Sequence, residues 1–145
     1  MKHLFILLTI LSAFFSTAKA NDDITVARFV QQSFHRSFTH AKDVHWTIRK
    51  DFYKADFELN GQYVTAFYAT DGKFIAATRN ISSTQLPVVL QSGLKKGRTG
   101  YWITDLFEVS NQQGVTYYLT LENADNKIIL QSTGNEWMVY QKANK

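Results

Sequence analysis

Phe52-Tyr53-Lys54-Ala55-Asp56-Phe57-Glu58-Leu59-Asn60-Gly61-Gln62-Tyr63-Val64-Thr65-Ala66-Phe67-Tyr68-Ala69 is the stretch on which the fold turns. On both sides of Asn60-Gly61 the side chains alternate with a period of two, the signature of a strand with one buried face. Asn-Gly readily supplies the positive φ that a two-residue hairpin needs at its centre. Residues 52–59 and 62–69 therefore read as antiparallel strands. Working outward, Lys50-Asp51 and Asp71-Gly72 read as two more tight turns, which add strands at about residues 44–49 and 74–81.

Upstream the period changes. Val26, Val30, Phe34 and Phe38 recur every four residues, an apolar stripe on a helix ending near His40. Asp22 and Asp23 are placed to cap its start. Downstream a second cycle opens. Ser82, Ser83 or Thr84 caps a helix with Pro87 in its first turn and Leu86, Leu90 and Leu94 as its stripe. Lys95 and Lys96 suit its C-terminal end, and Gly97 stops it. Strands follow at about residues 101–109, 115–121, 127–132 and 137–141. Val30, Phe34 and Phe38 align with Leu86, Leu90 and Leu94 at a constant offset that also carries His45-Trp46 onto Tyr101-Trp102. The expected fold class is α+β: two tandem repeats, residues 21–81 and 82–145, each one helix packed on a four-stranded antiparallel sheet and together one compact domain.

The motifs Asp43-Val44-His45-Trp46, Asp51-Phe52-Tyr53-Lys54-Ala55-Asp56-Phe57, Asn60-Gly61, Asp71-Gly72-Lys73, Leu86-Pro87 and Tyr101-Trp102-Ile103 resemble the PepSY-like, β-lactamase-inhibitor-like family of exported bacterial proteins. The resemblance spans nearly all of the chain after residue 20. It implies tandem helix-on-sheet units and no catalytic residue to carry over. The likeness recorded in the family's name is to inhibitors that bind enzymes with an open sheet face, so binding is expected rather than catalysis.

The start of the chain reads as an address. Lys2 precedes an apolar run over residues 4–15, and Ala18-Lys19-Ala20 supplies a small-residue exit, so a secretory signal peptide is expected over residues 1–20, cleaved after Ala20. The run is too short to span ~30 Å of hydrocarbon, and no later stretch is long enough. Secretion or a periplasmic location follows. The remainder has no cysteine, so its stability must come from packed apolar residues. The formal charge of +4 includes Lys2 and Lys19, and what is left is close to balance, which argues against a nucleic-acid partner.

Tight turns settle register, and register settles faces. Val44, Trp46, Ile48, Tyr53, Ala55, Phe57, Val64, Ala66, Tyr68, Ile75 and Ala77 are expected beneath the first helix. Tyr117, Leu119, Leu121, Ile128, Leu130, Trp137 and Val139 are expected beneath the second. The strand from Tyr101 to Val109 is apolar at both parities, which a bulge would reconcile. The opposite face collects His45, Thr47, Arg49, Lys54, Asp56, Glu58, Tyr63, Thr65, Phe67, Phe74, Ala76 and Thr78 in the first half. Thr116, Tyr118, Thr120, Glu122, Ile129, Gln131, Met138 and Tyr140 continue it in the second.

Aromatics and methionine among charges on an uncovered sheet have the composition of a protein-binding patch. The candidate partner-binding residues are Tyr63, Phe67, Phe74, Tyr118, Met138 and Tyr140, with Lys54 and Glu58 tuning specificity. The expected function is an exported, non-enzymatic binding module with a protein partner in the cell envelope. Alternatives are a small-ligand carrier or hydrolase with a pocket in a cone-shaped sheet, and a self-associating envelope protein whose homodimer contact shields the same aromatics.

Other chemistry is thin. His35, His40 and His45 are spaced too widely for one helix face, and there is no His-Glu-x-x-His, so no metal or other cofactor is expected. Asp43 and His45 lack a nucleophile elbow, and Asp56 with Glu58 reads as a solvated charged strip. Residues 122–126 lack EF-hand spacing. Residues 93–100 follow a helix rather than opening one, which argues against a phosphate cradle. Asn80-Ile81-Ser82 reads as a strand end and cap.

Overall fold

The computed structural model describes residues 25–94, 96 and 98–144. The expected signal peptide, the Asp22 and Asp23 caps and the Lys95 and Gly97 helix end lie outside the described residues.

The described residues form one eight-stranded antiparallel meander with two short helices. Helix α1 (Arg28–Ser37) is followed by β1 (Lys42–Ile48), β2 (Phe52–Leu59), β3 (Gln62–Ala69) and β4 (Phe74–Asn80). A 3-10 turn (Ser83–Gln85) and helix α2 (Val88–Gly93) lead to β5 (Trp102–Asn111), β6 (Gly114–Glu122), β7 (Asn126–Ser132) and β8 (Met138–Asn144). This corrects the expected fold class. The strands do not divide into two four-stranded sheets, because β4 pairs with β5 through Ala77↔Ser110, Thr78↔Val109, Arg79↔Glu108 and Asn80↔Phe107. Hairpin turns are local and legible. Pairing between strands separated by a helical crossover depends on where that crossover returns the chain.

The Asn60-Gly61 turn has φ values of 53° and 78°, and β2 and β3 pair in the register expected from it, Phe57↔Val64 and Ala55↔Ala66. Asp71-Gly72 behaves differently. The Ala69 N–H donates to the Lys73 carbonyl and the Gly72 N–H to the Ala69 carbonyl, both at 2.9 Å, so three residues make the loop. A bulge absorbs the extra residue: Phe67 pairs with Ala76, but Tyr68 pairs with Phe74. Phe74 and Ile75 therefore exchange faces relative to strict alternation. The Phe74 ring lies 6.3 Å from Phe38 and 5.7 Å from Tyr68 on the helix side, while Ile75 joins the opposite face.

The second helix is also corrected. Leu86 has φ −69° and ψ 153°, the extended conformation imposed on a residue preceding proline. The expected helix is thus broken into the 3-10 turn, whose Gln85 side chain accepts the Ser82 N–H at 2.8 Å, and α2, with Pro87 as its N-cap.

Each helix covers an apolar cluster. Under α1, Val26, Val30, Phe34, Ala55, Phe57, Val64, Ala66 and Tyr68 are buried. Under α2 lie Ile81, Leu86, Leu90, Leu106, Leu119, Leu121 and Leu130, with the Trp137 indole N–H donating to the Leu90 carbonyl at 3.1 Å. The strand left unassigned by pattern is resolved by a bulge between Ile103 and Asp105, after which Leu106 faces the helix and Phe107 and Val109 face away. Val139 keeps the expected parity opposite Leu130 but stays exposed, since the six-residue α2 does not reach that edge.

A polar seam separates the two clusters on the helix side. Arg79 Nε and Nη2 donate to the two Glu108 carboxylate oxygens at 3.2 Å each, and Nη1 donates to Gln62 Oε1. Ser110 Oγ donates to Glu108 at 3.2 Å. Tyr117, paired with Glu108 in register, has its pKa raised by burial and by the Glu108 charge, with Arg79 acting in the opposite direction.

Tyr68 is fully buried, and its hydroxyl has no hydrogen-bond partner among the described residues; Ser37, the hydroxyl nearby, donates to the Ser33 carbonyl. Burial pushes the phenol pKa up to about 12, with Ser37 pulling the other way. The unfolded chain therefore ionises first as pH rises above 10, and stability falls across that window by a sum approaching roughly 3 kcal/mol. Tyr68→Phe is expected to match or exceed the parent near neutral pH, by up to ~1 kcal/mol. It should also lose this contribution to alkaline destabilisation, read from urea midpoints at pH 8 and pH 11.

Candidate protein-binding face

The face opposite the helices has no layer over it among the described residues. Register places its side chains in rows across the sheet. One row runs from Asn80 through Phe107, Tyr118 and Gln131 to Met138, with the Glu58–Tyr63 pair of β2 and β3 on the same face. A second row holds His45, Asp56, Thr65, Thr78, Val109 and Thr116.

The middle of this face is an apolar floor. Ala76, Phe107, Val109 and Tyr118 are buried together, with Ile75, Ile129 and Tyr140 packed against them. Phe107 and Tyr118 stack at 5.2 Å with planes 12° apart, and Tyr140 meets Tyr118 edge-on at 5.6 Å. Burial and the neighbouring Tyr140 raise the Tyr118 pKa. Contacts between side chains on neighbouring strands supply this burial.

The candidates divide by position. Tyr63 is 84% exposed and Met138 54%, at opposite sides of the floor. Tyr140 is half-buried. Phe67 has the expected parity but is only 2% exposed, beside Phe52 at 5.9 Å, and Tyr118 is buried in the floor. Both rings are therefore covered in the free chain, and Phe74, expected on this face, instead faces the helix. Lys54 pairs with Asp56 at 2.8 Å, and Asp56 also accepts the Thr65 hydroxyl at 2.7 Å. In the charged strip of Asp56 and Glu58, Asp56 is thus engaged by two neighbours. Glu58 lies beside Tyr63 in register.

Pattern reading missed Phe107 and Val109, which form the floor, and Ile75, which the bulge turns toward it. The signal for the first two was present: a strand apolar at both parities.

Among the described residues no group of three His, Cys, Asp or Glu side chains could hold a metal ion. His45 Nδ1 lies 2.8 Å from the Asp43 carbonyl and His40 Nδ1 lies 3.0 Å from the Thr39 hydroxyl. Asn123 Oδ1 accepts the Asp125 and Asn126 N–H groups at 3.0 and 2.7 Å, closing a turn where calcium ligation was considered. No described helix is long and apolar enough to cross a membrane.

An eight-stranded sheet with, among the described residues, helices on one side only defines the structural class, and solved structures share it. The chain matches a BLIP-like protein from Bacteroides fragilis with a TM-score of 0.73 at 13% identity, over 83% of this chain and 87% of that one. It matches a DUF2874 family protein from Bacteroides ovatus at 0.73 and 18%, over 83% and 88%. A structure from Bacteroides eggerthii with a provisional periplasmic description matches at 0.71 and 14%, over 83% and 89%. At these identities the likeness establishes a shared, BLIP-like fold; it supports that side of the resemblance and not PepSY-like specifically. No family model and no curated protein matches the sequence.

Proposed function

We propose that this chain is an exported, non-enzymatic binding module that docks a protein of the cell envelope on the face opposite its helices. The observation carrying this reading is the packed aromatic floor of Phe107, Tyr118 and Tyr140, with Tyr63 and Met138 exposed at its margins. A partner would cover a preformed surface, so few side chains need to be ordered on binding. Met138 adapts to irregular contacts, and Tyr63 offers area with a polar tip. The BLIP-like neighbour adds weight to an inhibitor-like role, and the periplasmic description of another neighbour to export.

Photo-crosslinking tests this reading. A benzophenone amino acid replaces Tyr63, Met138 or, on α2, the exposed Val88, and the purified chain is incubated with envelope extract. Tyr63 and Met138 are expected to capture the same protein while Val88 captures none. Equal capture from Val88, or capture of unrelated proteins at the two sheet positions, contradicts a defined docking face.

A further inference from the structure

The two halves of the sheet are offset along their strands. Strand β4 pairs with β5 only over residues 77–80, and the last bond joins the Ile81 N–H to the Leu106 carbonyl at 3.0 Å. Ile81 then turns into the second apolar cluster and Ser82 opens the 3-10 turn. Strand β5 has begun at Trp102, so among the described residues Ile103 and Asp105 have a strand partner on the β6 side only, and Thr104 between them is the bulged residue. An interior strand thus carries a short stretch of edge, and it is exposed: Ile103 is 46% accessible, and Thr104 and Asp105 are exposed beside it.

The bulge distributes the side chains of this step. Ile103 pairs with Leu121 on the helix side, while Trp102 pairs with Glu122 and Asp105 with Thr120 on the opposite side. Asp105 has no cation within 4 Å among the described residues; the nearest ion pair, Lys127 with Glu122, is closed at 3.6 Å. Loss of hydration raises the Asp105 pKa, against the Leu106 N–H and the more distant Lys127.

We propose that this step is a second docking site, which takes an extended peptide segment carrying a basic side chain as an added strand along residues 103–105. Main-chain groups on the side of this stretch away from β6 favour an extended backbone. Asp105 selects lysine or arginine at the position facing it, because a cation there compensates a carboxylate that is already partly desolvated. The exposed Ile103 gives the incoming strand an apolar contact on the other side of the sheet. This site does not rest on the docking face proposed above.

The probes are end-blocked heptapeptides of alternating valine and threonine with one central lysine, and the same peptides with glutamate in its place, added to the isotope-labelled protein. The lysine peptide is expected to shift the amide resonances of residues 103–106 and to bind about tenfold more tightly than the glutamate peptide. Asp105→Asn should remove most of that difference, and Thr104→Pro should abolish both interactions by blocking the edge. Met138→Asp, three strands away on β8, should leave them unchanged. Shifts centred elsewhere, no shifts at all, or a lysine preference that survives Asp105→Asn would overturn the proposal, and the asparagine variant decides it even where the proline variant fails to fold.

Discussion

Phe34→Ala is expected to lower the unfolding free energy by about 3–5 kcal/mol, enough to unfold the chain or bring it to the edge of unfolding. Phe34 is 1% exposed and lies where the helix meets the sheet. Its ring sits 4.9 Å from Phe57, 5.3 Å from Trp46, 5.4 Å from Phe38 and 6.4 Å from Tyr68. Those partners come from the loop after α1 and from β1, β2 and β3, so truncation opens a cavity that several elements would have to close together. Chemical denaturation followed by far-ultraviolet circular dichroism measures the loss. Phe29→Ala on the same helix is the control, since Phe29 is half exposed. A loss below about 1 kcal/mol for Phe34→Ala would mean the first cluster can collapse around the gap.

The second large effect concerns the seam. Glu108→Ala leaves the Arg79 guanidinium without its carboxylate between two apolar clusters, and should cost about 2–4 kcal/mol. The pair is only partly shielded, with side-chain exposures of 35% for Arg79 and 14% for Glu108, which keeps the expected value below that of a fully buried pair. Arg79→Met combined with Glu108→Leu should recover most of the loss, because both charges are then gone. A double-mutant cycle reads the coupling directly. Coupling near zero would remove the seam's role in joining β4 to β5.

Much of this architecture could be read before any coordinates. Asn60-Gly61 located the β2–β3 hairpin and its register, and four-residue spacing located α1. What pattern could not supply was non-local or depended on one residue of turn length. The loop closed by Ala69 and Lys73 spans three residues rather than two, which moved Phe74 beneath the helix and Ile75 onto the opposite face. Leu86 could not be helical ahead of Pro87, which shortened the second helix. The joining of the two halves was invisible because β4 and β5 are contiguous only in space.

The candidate site shows the same division. Parity placed Tyr63, Phe67, Tyr118 and Met138 on the correct side of the sheet, since alternation is a local property. Exposure is not local. Phe67 is buried beside Phe52, and Tyr118 between Phe107 and Tyr140, whereas Tyr63 and Met138 lie at the margins. A charged substitution at Phe67 would therefore report on folding, and the same substitution at Met138 reports on docking.

Hydroxyl-radical footprinting of the purified chain, alone and with the protein captured by crosslinking, tests the open sheet face most directly. In the free chain Tyr63 and Met138 should oxidise rapidly while Phe67, Phe107 and Tyr118 are protected, and the partner should then shield Tyr63 and Met138 together, leaving the exposed Val88 reactive. Slow oxidation of Met138 and Tyr63 in the free monomer, or shielding of Val88 in their place, would contradict a docking surface on that side of the sheet.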